Sequence, residues 1–454
     1  MFSLIFMLWF GVLVGLLLGV VSWWVIVWGF SLSAVLAVLI GFVSVEVSSC
    51  EFGGVFCYDE ISCGLVWLSL FISGLSLLGS MDILVSGDKS EMFLVAVVSL
   101  SSVLCVCFSV DSLLLFYIFF EFSLVPILVI ICGWGYQPER LRSIKYMVLY
   151  TVGASLPLLV LVFLLSIYSV SDKFSLLYAM RGVCPCGSMV LLASMMAFLV
   201  KSPAYGVHGW LPKAHVEAPV AGSMFLAGVL LKLGGYGLIR FYSILNLSSG
   251  VVFICLMCLC IFGGVVASVV CCAQADAKSL VAYSSVGHMS LVLGGLMSGS
   301  YWGLGGGYLL MIAHGLSSSG MFYLIGELYK MYSSRMLFVI RGGVGSLFGI
   351  NLWLAFMSGF SASAPPSLSL CSEVMLCICL VSYSLWFSFF VGALGFLSCL
   401  YSWGLYCSTQ TGNYPLWSYS NVSVSCWYQQ GVVCVSLILP LMGLSACCDI
   451  GKFF

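Results

Sequence analysis

Long apolar stretches separated by short polar connections recur along the whole 454-residue chain. They run at about 2–20, 23–43, 61–80, 92–110, 112–132, 144–169, 188–206, 219–239, 250–272, 279–298, 301–325, 346–381, 382–405 and 430–448. About 20 apolar residues in a helix cross the hydrocarbon of a bilayer, so the pattern predicts about fourteen transmembrane helices. A closed barrel would instead alternate apolar and polar positions over segments of about ten residues, whereas these stretches are apolar all round. The expected fold class is an all-α polytopic membrane protein, with the whole of 1–454 forming one transmembrane domain.

Composition agrees. The chain is 62% hydrophobic and 7% charged, with a mean hydropathy of +1.19, where soluble domains carry about a quarter charged residues. This excludes a soluble enzyme, and no nucleic-acid partner is expected. The 22 cysteines lie scattered through apolar stretches, in pairs such as Cys105 and Cys107 or Cys271 and Cys272. They lack the CxxC spacing of zinc or iron–sulfur sites and read as small core hydrophobes. Threonine occurs only at 151, 409 and 411, and asparagine only at 246, 351, 413 and 421, a usage that a coding strand rich in T and G would give. The first stretch has neither the charged start and cleavage site of a secretory signal nor the arginines of a presequence, and reads as the first spanning helix. Synthesis close to the final membrane, in a bacterium or an organelle, is expected.

Basic residues collect on the side where a membrane chain is made. Odd-numbered connections hold Lys89, Arg140, Arg142, Lys145, Lys213, Lys278, Lys330, Arg335 and Arg341, and even-numbered ones hold Lys173, Arg181 and Arg240. The bias places the odd connections inside. Both termini, and the acidic connection with Glu46, Glu51, Asp59 and Glu60, are then outside.

Four charges fall within predicted spans: Glu121, Lys201, Lys232 and Glu373. A charge near the bilayer centre costs at least about 2.5–3.5 kcal/mol, so such residues face water or a partner. A structural ion pair or snorkelling to the interface is the plainer alternative, although Lys232 lies too deep for easy snorkelling. Proline marks the same places. Pro203 follows Lys201 by two positions, and Pro365 and Pro366 precede Glu373 by eight and seven. Membranes tolerate broken helices only where protein or water satisfies the freed backbone. Two such breaks, in the seventh and twelfth spans, indicate two five-helix inverted repeats at about 92–240 and 250–405 with a path at mid-membrane. N-terminal helices (about 1–91) precede them and a last helix (about 430–448) follows.

The four histidines extend the series: His208 and His215 at the inner end of the seventh span, His288 and His314 within the tenth and eleventh. Imidazole exchanges protons near neutral pH and suits a relay, although a lone membrane histidine is as often a hydrogen-bonded packing residue. No cluster of converging metal ligands is apparent. Lys278, beside Asp276, fits a relay or a loop ion pair equally. An ordinary lysine keeps its proton to about pH 10.4. A lysine relaying near neutrality therefore needs burial to loosen the proton and a movable carboxylate to hold it, a part that Glu121 beside Lys201 suits.

These residues lie in long recognisable stretches: "FFEFSLVPILVIICGWGYQPERL" (119–141), "KSPAYGVHGWLPKAHVEAPVAGSMFLAGVLLKLGGYGLIR" (201–240), "AKSLVAYSSVGHMS" (277–290) and "MIAHGLSSSGMFYLIGELY" (311–329). Through them the chain resembles the subunit 4 family of mitochondrial NADH:ubiquinone oxidoreductase, respiratory complex I, whose members are antiporter-like. The resemblance covers most of the sequence and is densest from about 111 to 330. It implies proton translocation along a polar axis at mid-membrane, with Glu121 as the helix-five glutamate, Lys201 the helix-seven lysine, Lys232 the central helix-eight lysine and Glu373 the helix-twelve glutamate. It also implies residence in the inner mitochondrial membrane, termini on the intermembrane-space side, and contacts with other membrane-arm subunits and lipids. Gly133 stands where the family usually has a basic residue, and Ser369 and Ser372 stand at its Asn and Gly places near the second break.

The chain itself has no GxGxxG opening a nucleotide fold and no cluster ligand set. NADH, FMN, iron–sulfur clusters and ubiquinone are therefore expected in other subunits, and no cofactor or metal on this one. A multisubunit cation/proton antiporter component shares these features, and a structural subunit held together by polar residues is the alternative of another class.

Overall fold

A computed structural model describes residues 23–44, 50–52, 55–169, 172–179, 188–245, 251–342, 348–412 and 425–446. The predicted span at 2–20, Glu46 and Arg181 lie outside them. Nine helices among the described residues are long and apolar enough to cross a membrane, and shorter apolar helices accompany them. Every predicted span after the first overlaps described helices, 112–132 and 346–381 each covering two.

The chain divides into two compact units, 1–201 with 217–246, and 202–216 with 247–454. The first contains α1 (Trp23–Ser44), a hairpin of β1 (Cys50–Phe52) and β2 (Phe56–Tyr58), α2 (Glu60–Gly79), α3 (Met81–Ser86), α4 (Ser90–Ser109), α5 (Leu113–Phe122), α6 (Leu124–Trp134), α7 (Arg140–Tyr168), α8 (Phe174–Ala179) and α9 (Ser188–Lys201). After α10 (Trp210–Glu217), most of which belongs to the second unit, the first unit resumes with α11 (Val220–Phe225), a π-helical turn (Leu226–Leu230) and α12 (Leu231–Leu245). The second contains α13 (Val251–Cys272), α14 (Ala277–Ser298), α15 (Tyr301–Tyr332), α16 (Phe348–Ser361), α17 (Leu368–Tyr383), α18 (Trp386–Gln410) and α19 (Ser425–Ala446). The hairpin, antiparallel with Glu51 opposite Cys57, and the short helices α3 and α8 are additions to the predicted pattern. A connection outside the spans must still pair its backbone, and this one does so in the hairpin and through Asp111 N–H, which donates to Val55 O at 2.9 Å.

Contacts between connections test the parity of the span count. Phe56 bridges Val110 and Ser112 bridges Lys173, all on even connections. Asp276 bridges Met336, and Gly342 N–H donates to Thr411 O at 3.2 Å, all on odd ones. Ends predicted to share a membrane face thus lie together within each unit. Arg240 follows the same rule. Its guanidinium is paired with Asp59, the residue that precedes α2, and Arg240 Nε donates to the Tyr236 hydroxyl at 3.0 Å.

No disulfide occurs among the described cysteines. Cys57, outside the spans, has its thiol pushed up to about 12 by burial and by the neighbouring Asp59 carboxylate, so it stays protonated.

Helix packing is set by small residues. In the α14–α15 hairpin a Cβ on Gly303 would collide with the Gly295 carbonyl oxygen, a backbone atom that cannot rotate away. Gly303→Ala is therefore expected to cost about 1–3 kcal/mol by overpacking. A lower thermal midpoint of the purified protein checks this, with Gly392→Ala, at a site with open space around it, as the control.

Candidate functional site

Each ionisable residue predicted within a span sits at a helix irregularity or faces another ionisable group. The predicted span 112–132 is interrupted at Ser123, where α5 gives way to α6. Pro126 explains the break: its ring has no N–H for the Phe122 carbonyl and pushes that carbonyl aside. The last four carbonyls of any helix lack intrahelical partners, and Phe120 O, in the last turn of α5, is one of them. It accepts from Ser123 Oγ at 2.8 Å and from the Lys201 ammonium.

Lys201 is the last residue of α9 and 4% exposed. Its Nζ also lies 3.2 Å from the centre of the Phe120 ring, within the range where ring quadrupole and cation attract. Glu121 is close enough to act on Lys201 electrostatically. Among the described residues, however, the ammonium bonds the carbonyl next door rather than the carboxylate, and Glu121 Oε1 is buried without a hydrogen bond. The expected Glu121–Lys201 pair is therefore a neighbouring couple, not a contact ion pair. Phe120 O holds the ammonium because the break leaves that oxygen under-satisfied.

Lys232 is wholly buried and lies two residues beyond the π-helical segment. There Leu231 N–H bonds Leu226 O, five residues back, and the Lys232 ammonium reaches back to Ala227 O. Gly228, within this turn, packs closely on α2, where a Cβ would strike the Ile72 side chain. Both buried lysines of the first unit thus rest on main-chain carbonyls exposed by a distorted helix.

A similar arrangement closes α10 in the second unit. Val216 O, near its C-terminus, accepts from Arg335 Nη1 at 3.0 Å and faces Lys278 Nζ at 3.5 Å. Lys278 is buried at the start of α14, and this carbonyl is one of its contacts. The cations also oppose the negative end of the helix dipole. His208 lies in the break, partly exposed, stacked on Tyr205 with ring centres 5.0 Å apart and accepting from Gly206 N–H at 3.2 Å. His215, on α10, is fully buried and stacks on Phe322 at 4.6 Å with an interplanar angle of 3°.

The second predicted break occurs where expected, between α16 and α17 over residues 362–367. Ser367 caps α17, its hydroxyl accepting from Leu370 N–H at 3.3 Å. Ser369 crosses the break, its hydroxyl donating to Phe360 O at 2.8 Å, and Ser372 Oγ donates to Ser369 O at 2.8 Å. The Ser369 bond ties the two halves together, and the Ser372 bond lies within the first turns of α17, which carry Glu373. Glu373 Oε1 is 3.5 Å from His288 Nδ1. The His314 ring centre is 5.6 Å from that of His288, and Tyr401 OH is 3.1 Å from His288 Nε2. His288, Glu373 and His314 are thus brought together, with Tyr401 joining a group in which the sequence reading had not placed it. Also unforeseen are the break at Pro126, for which the proline rule was available, and the π turn, for which no residue gives a signal.

Among the described residues no group of three His, Cys, Asp or Glu converges as a metal site. The set of amines, imidazoles and carboxylates can hold and pass protons.

Residues 110–400 match the family described as NADH:quinone oxidoreductase/Mrp antiporter, TM, and residues 1–107 match the NADH-ubiquinone oxidoreductase chain 4 amino terminus. NADH-ubiquinone oxidoreductase chain 4 of Ceratitis capitata is 44% identical over 355 residues, covering 78% of this chain and 79% of that one. The chain belongs to the NADH-ubiquinone oxidoreductase chain 4 family. Another member, from Mytilus edulis, is 40% identical over 87% of this chain and 90% of its own. Among solved structures, a chain of respiratory complex I from Thermus thermophilus with bound NADH superposes with a TM-score of 0.86 at 22% identity, covering 99% of this chain and 97% of that one. A chain of the Mrp complex from Dietzia superposes with a TM-score of 0.80 at 15% identity, covering 94% and 91%. At such identities these two speak for a shared fold. The antiporter-like architecture expected of the chain 4 family is therefore the one this chain adopts.

Proposed function

We propose that this chain is a proton-translocating membrane-arm subunit of the NADH:ubiquinone oxidoreductase, driven by electron transfer that other subunits carry out. Membership of the chain 4 family is the observation that carries this reading. We place the chain in the inner mitochondrial membrane with its termini on the intermembrane-space side, a side that the basic residues of the odd connections support. NADH, FMN, iron–sulfur clusters and ubiquinone belong to other subunits on this reading. Neighbouring membrane-arm subunits and lipids cover its apolar exterior.

Glu121, Lys201, Lys232 and Glu373 are the proton carriers, with His288 beside Glu373 and His314 beside His288. The other candidates divide by their surroundings. His215 stacks face to face on a phenylalanine and Lys278 caps a carbonyl, so both support the break in the seventh span, while His208 lies at its exposed edge. Moving a proton against the membrane potential costs about 2.3 kcal/mol per 100 mV. A hydrogen bond from a charged group to a carbonyl is worth only about 1.5–3 kcal/mol, so a lysine bonded in this way can be re-directed.

Glu121→Gln, made in the assembled enzyme, tests the site. It is expected to lower proton translocation per NADH oxidised while assembly stays normal, and an unchanged ratio removes Glu121 from the path. The Mrp-like fold keeps an antiporter component as the second reading. Co-purification with NADH-oxidising activity selects the respiratory enzyme, and cation/proton exchange without it selects the antiporter.

A further inference from the structure

The relay reading leaves one end of His288 unassigned. An imidazole passes a proton by taking it on one ring nitrogen and giving it from the other. Nδ1 faces Glu373 Oε1 at 3.5 Å, so the other exchange must occur at Nε2. Nε2 faces the Tyr401 hydroxyl at 3.1 Å. His288 is 6% and Tyr401 5% exposed, so this bond is closed to bulk solvent and fixes the ring.

Next to this bond lies a cavity with room for water centres of about 20 Å³, lined by Ser284, His288, His314, Ser317, Ser318 and Tyr401. About 10–15 Å³ of such room suffices for one water, which needs two to four polar partners. Hydroxyls and imidazoles here supply them. The Ser284, Ser317 and Ser318 hydroxyls donate to main-chain carbonyls of their own helices and keep lone pairs that can accept from a guest, beside the Tyr401 hydroxyl and the His288 ring.

We propose that Tyr401 is a positioning residue of the proton path: by donating to His288 Nε2 it keeps the proton of the neutral imidazole on Nδ1, aimed at the Glu373 carboxylate. A proton arriving from the cavity adds to Nε2 as the Tyr401 hydroxyl turns away. The imidazolium then releases its Nδ1 proton to Glu373. The ring is left with its proton on Nε2, donating to the Tyr401 oxygen. The Nδ1–H form is regained for the next proton when that bond breaks and the ring turns, since running the transfers backward would only return the proton to the cavity. Nothing is consumed except the proton that moves.

The proposal rests on Glu373 being part of the path, and the experiment separates the two. In the intact enzyme reconstituted into vesicles, Tyr401→Phe keeps the ring and removes the hydroxyl, and Tyr401→Gln returns a donor and acceptor without the ring. Losing an oriented proton-transfer partner is expected to slow translocation by about tenfold or more in the Phe variant, with assembly intact, and the Gln variant is expected to recover part of the loss. Translocation unchanged in Tyr401→Phe, or equally low in both assembled variants, overturns the proposal. Should the Phe variant fail to assemble, the Gln variant decides alone: translocation near that of the parent supports the role, and a tenfold loss overturns it. Glu373→Gln serves as the reference. Its failure to affect translocation defeats the underlying reading, whereas a Glu373 effect with no Tyr401 effect defeats only this proposal.

Discussion

Lys232→Met is expected to stop proton translocation while leaving the protein assembled. Methionine matches the length of the lysine stem and carries no charge, so the wholly buried site keeps its packing and loses a desolvated ammonium. The Ala227 carbonyl loses a donor, a cost of about 1–3 kcal/mol offset by removal of the buried charge. A positioned acid or base contributes about 10²–10⁴-fold to a proton transfer, so the translocation rate should fall by at least a factor of about 10² at this step. Proton uptake into vesicles, with native gels for assembly, measures both quantities. Normal pumping in Lys232→Met sinks the assignment, and failed assembly would speak for a structural lysine.

The second large effect is on stability. Arg240 is 8% exposed and is held by Asp59, Tyr236 and Tyr178, with Nη1 3.4 Å from the Tyr178 hydroxyl and the guanidinium 5.0 Å from the Tyr236 ring centre. Tyr236 in turn donates to Phe108 O at 2.9 Å. Asp59→Asn strips the counter-charge from this network. Breaking a buried pair by removing one partner costs about 3–5 kcal/mol. The two tyrosines remain and the Asp59 side chain keeps 28% exposure, so about 2–3 kcal/mol is expected here. A lowered thermal midpoint checks the value. A double variant, Asp59→Asn with Arg240→Gln, should recover part of it, because no unpaired charge is then left buried. Additive losses in the double variant would show that the pair contributes nothing as a pair.

Much of this architecture is legible in the residues. Apolar length located the spans, because in a bilayer every backbone group must be satisfied inside its own helix. The parity of the connections followed from that count, and the contacts between them agree. Prolines at 203 and at 365 and 366 marked breaks for a local reason, a missing N–H and a ring in the way. The interruption beside Glu121 lies near Pro126, but proline alone does not locate it, because Pro157 and Pro440 sit inside unbroken helices. Charges within apolar runs singled out Glu121, Lys201, Lys232 and Glu373, because burying a charge is costly enough to require a purpose or a partner.

What the residues could not reveal is where each charge points. Lys201 bonds a carbonyl 81 positions away, and Arg335 one 119 away. The length of a side chain does not choose among acceptors that only the packed helices bring near. The π turn before Lys232 has no residue signal, and Gly228 within it packs on Ile72 of another helix. Tyr401 reads along the chain as one more aromatic in an apolar run, and only the packing of α18 against α14 turns its hydroxyl to His288. The one-dimensional pattern therefore determined the membrane class, the spans and the list of ionisable groups, because those follow from local solvation and backbone geometry. Which groups meet, and through which atoms, was decided by tertiary packing, because hydrogen bonds between distant helices depend on positions set by the whole fold.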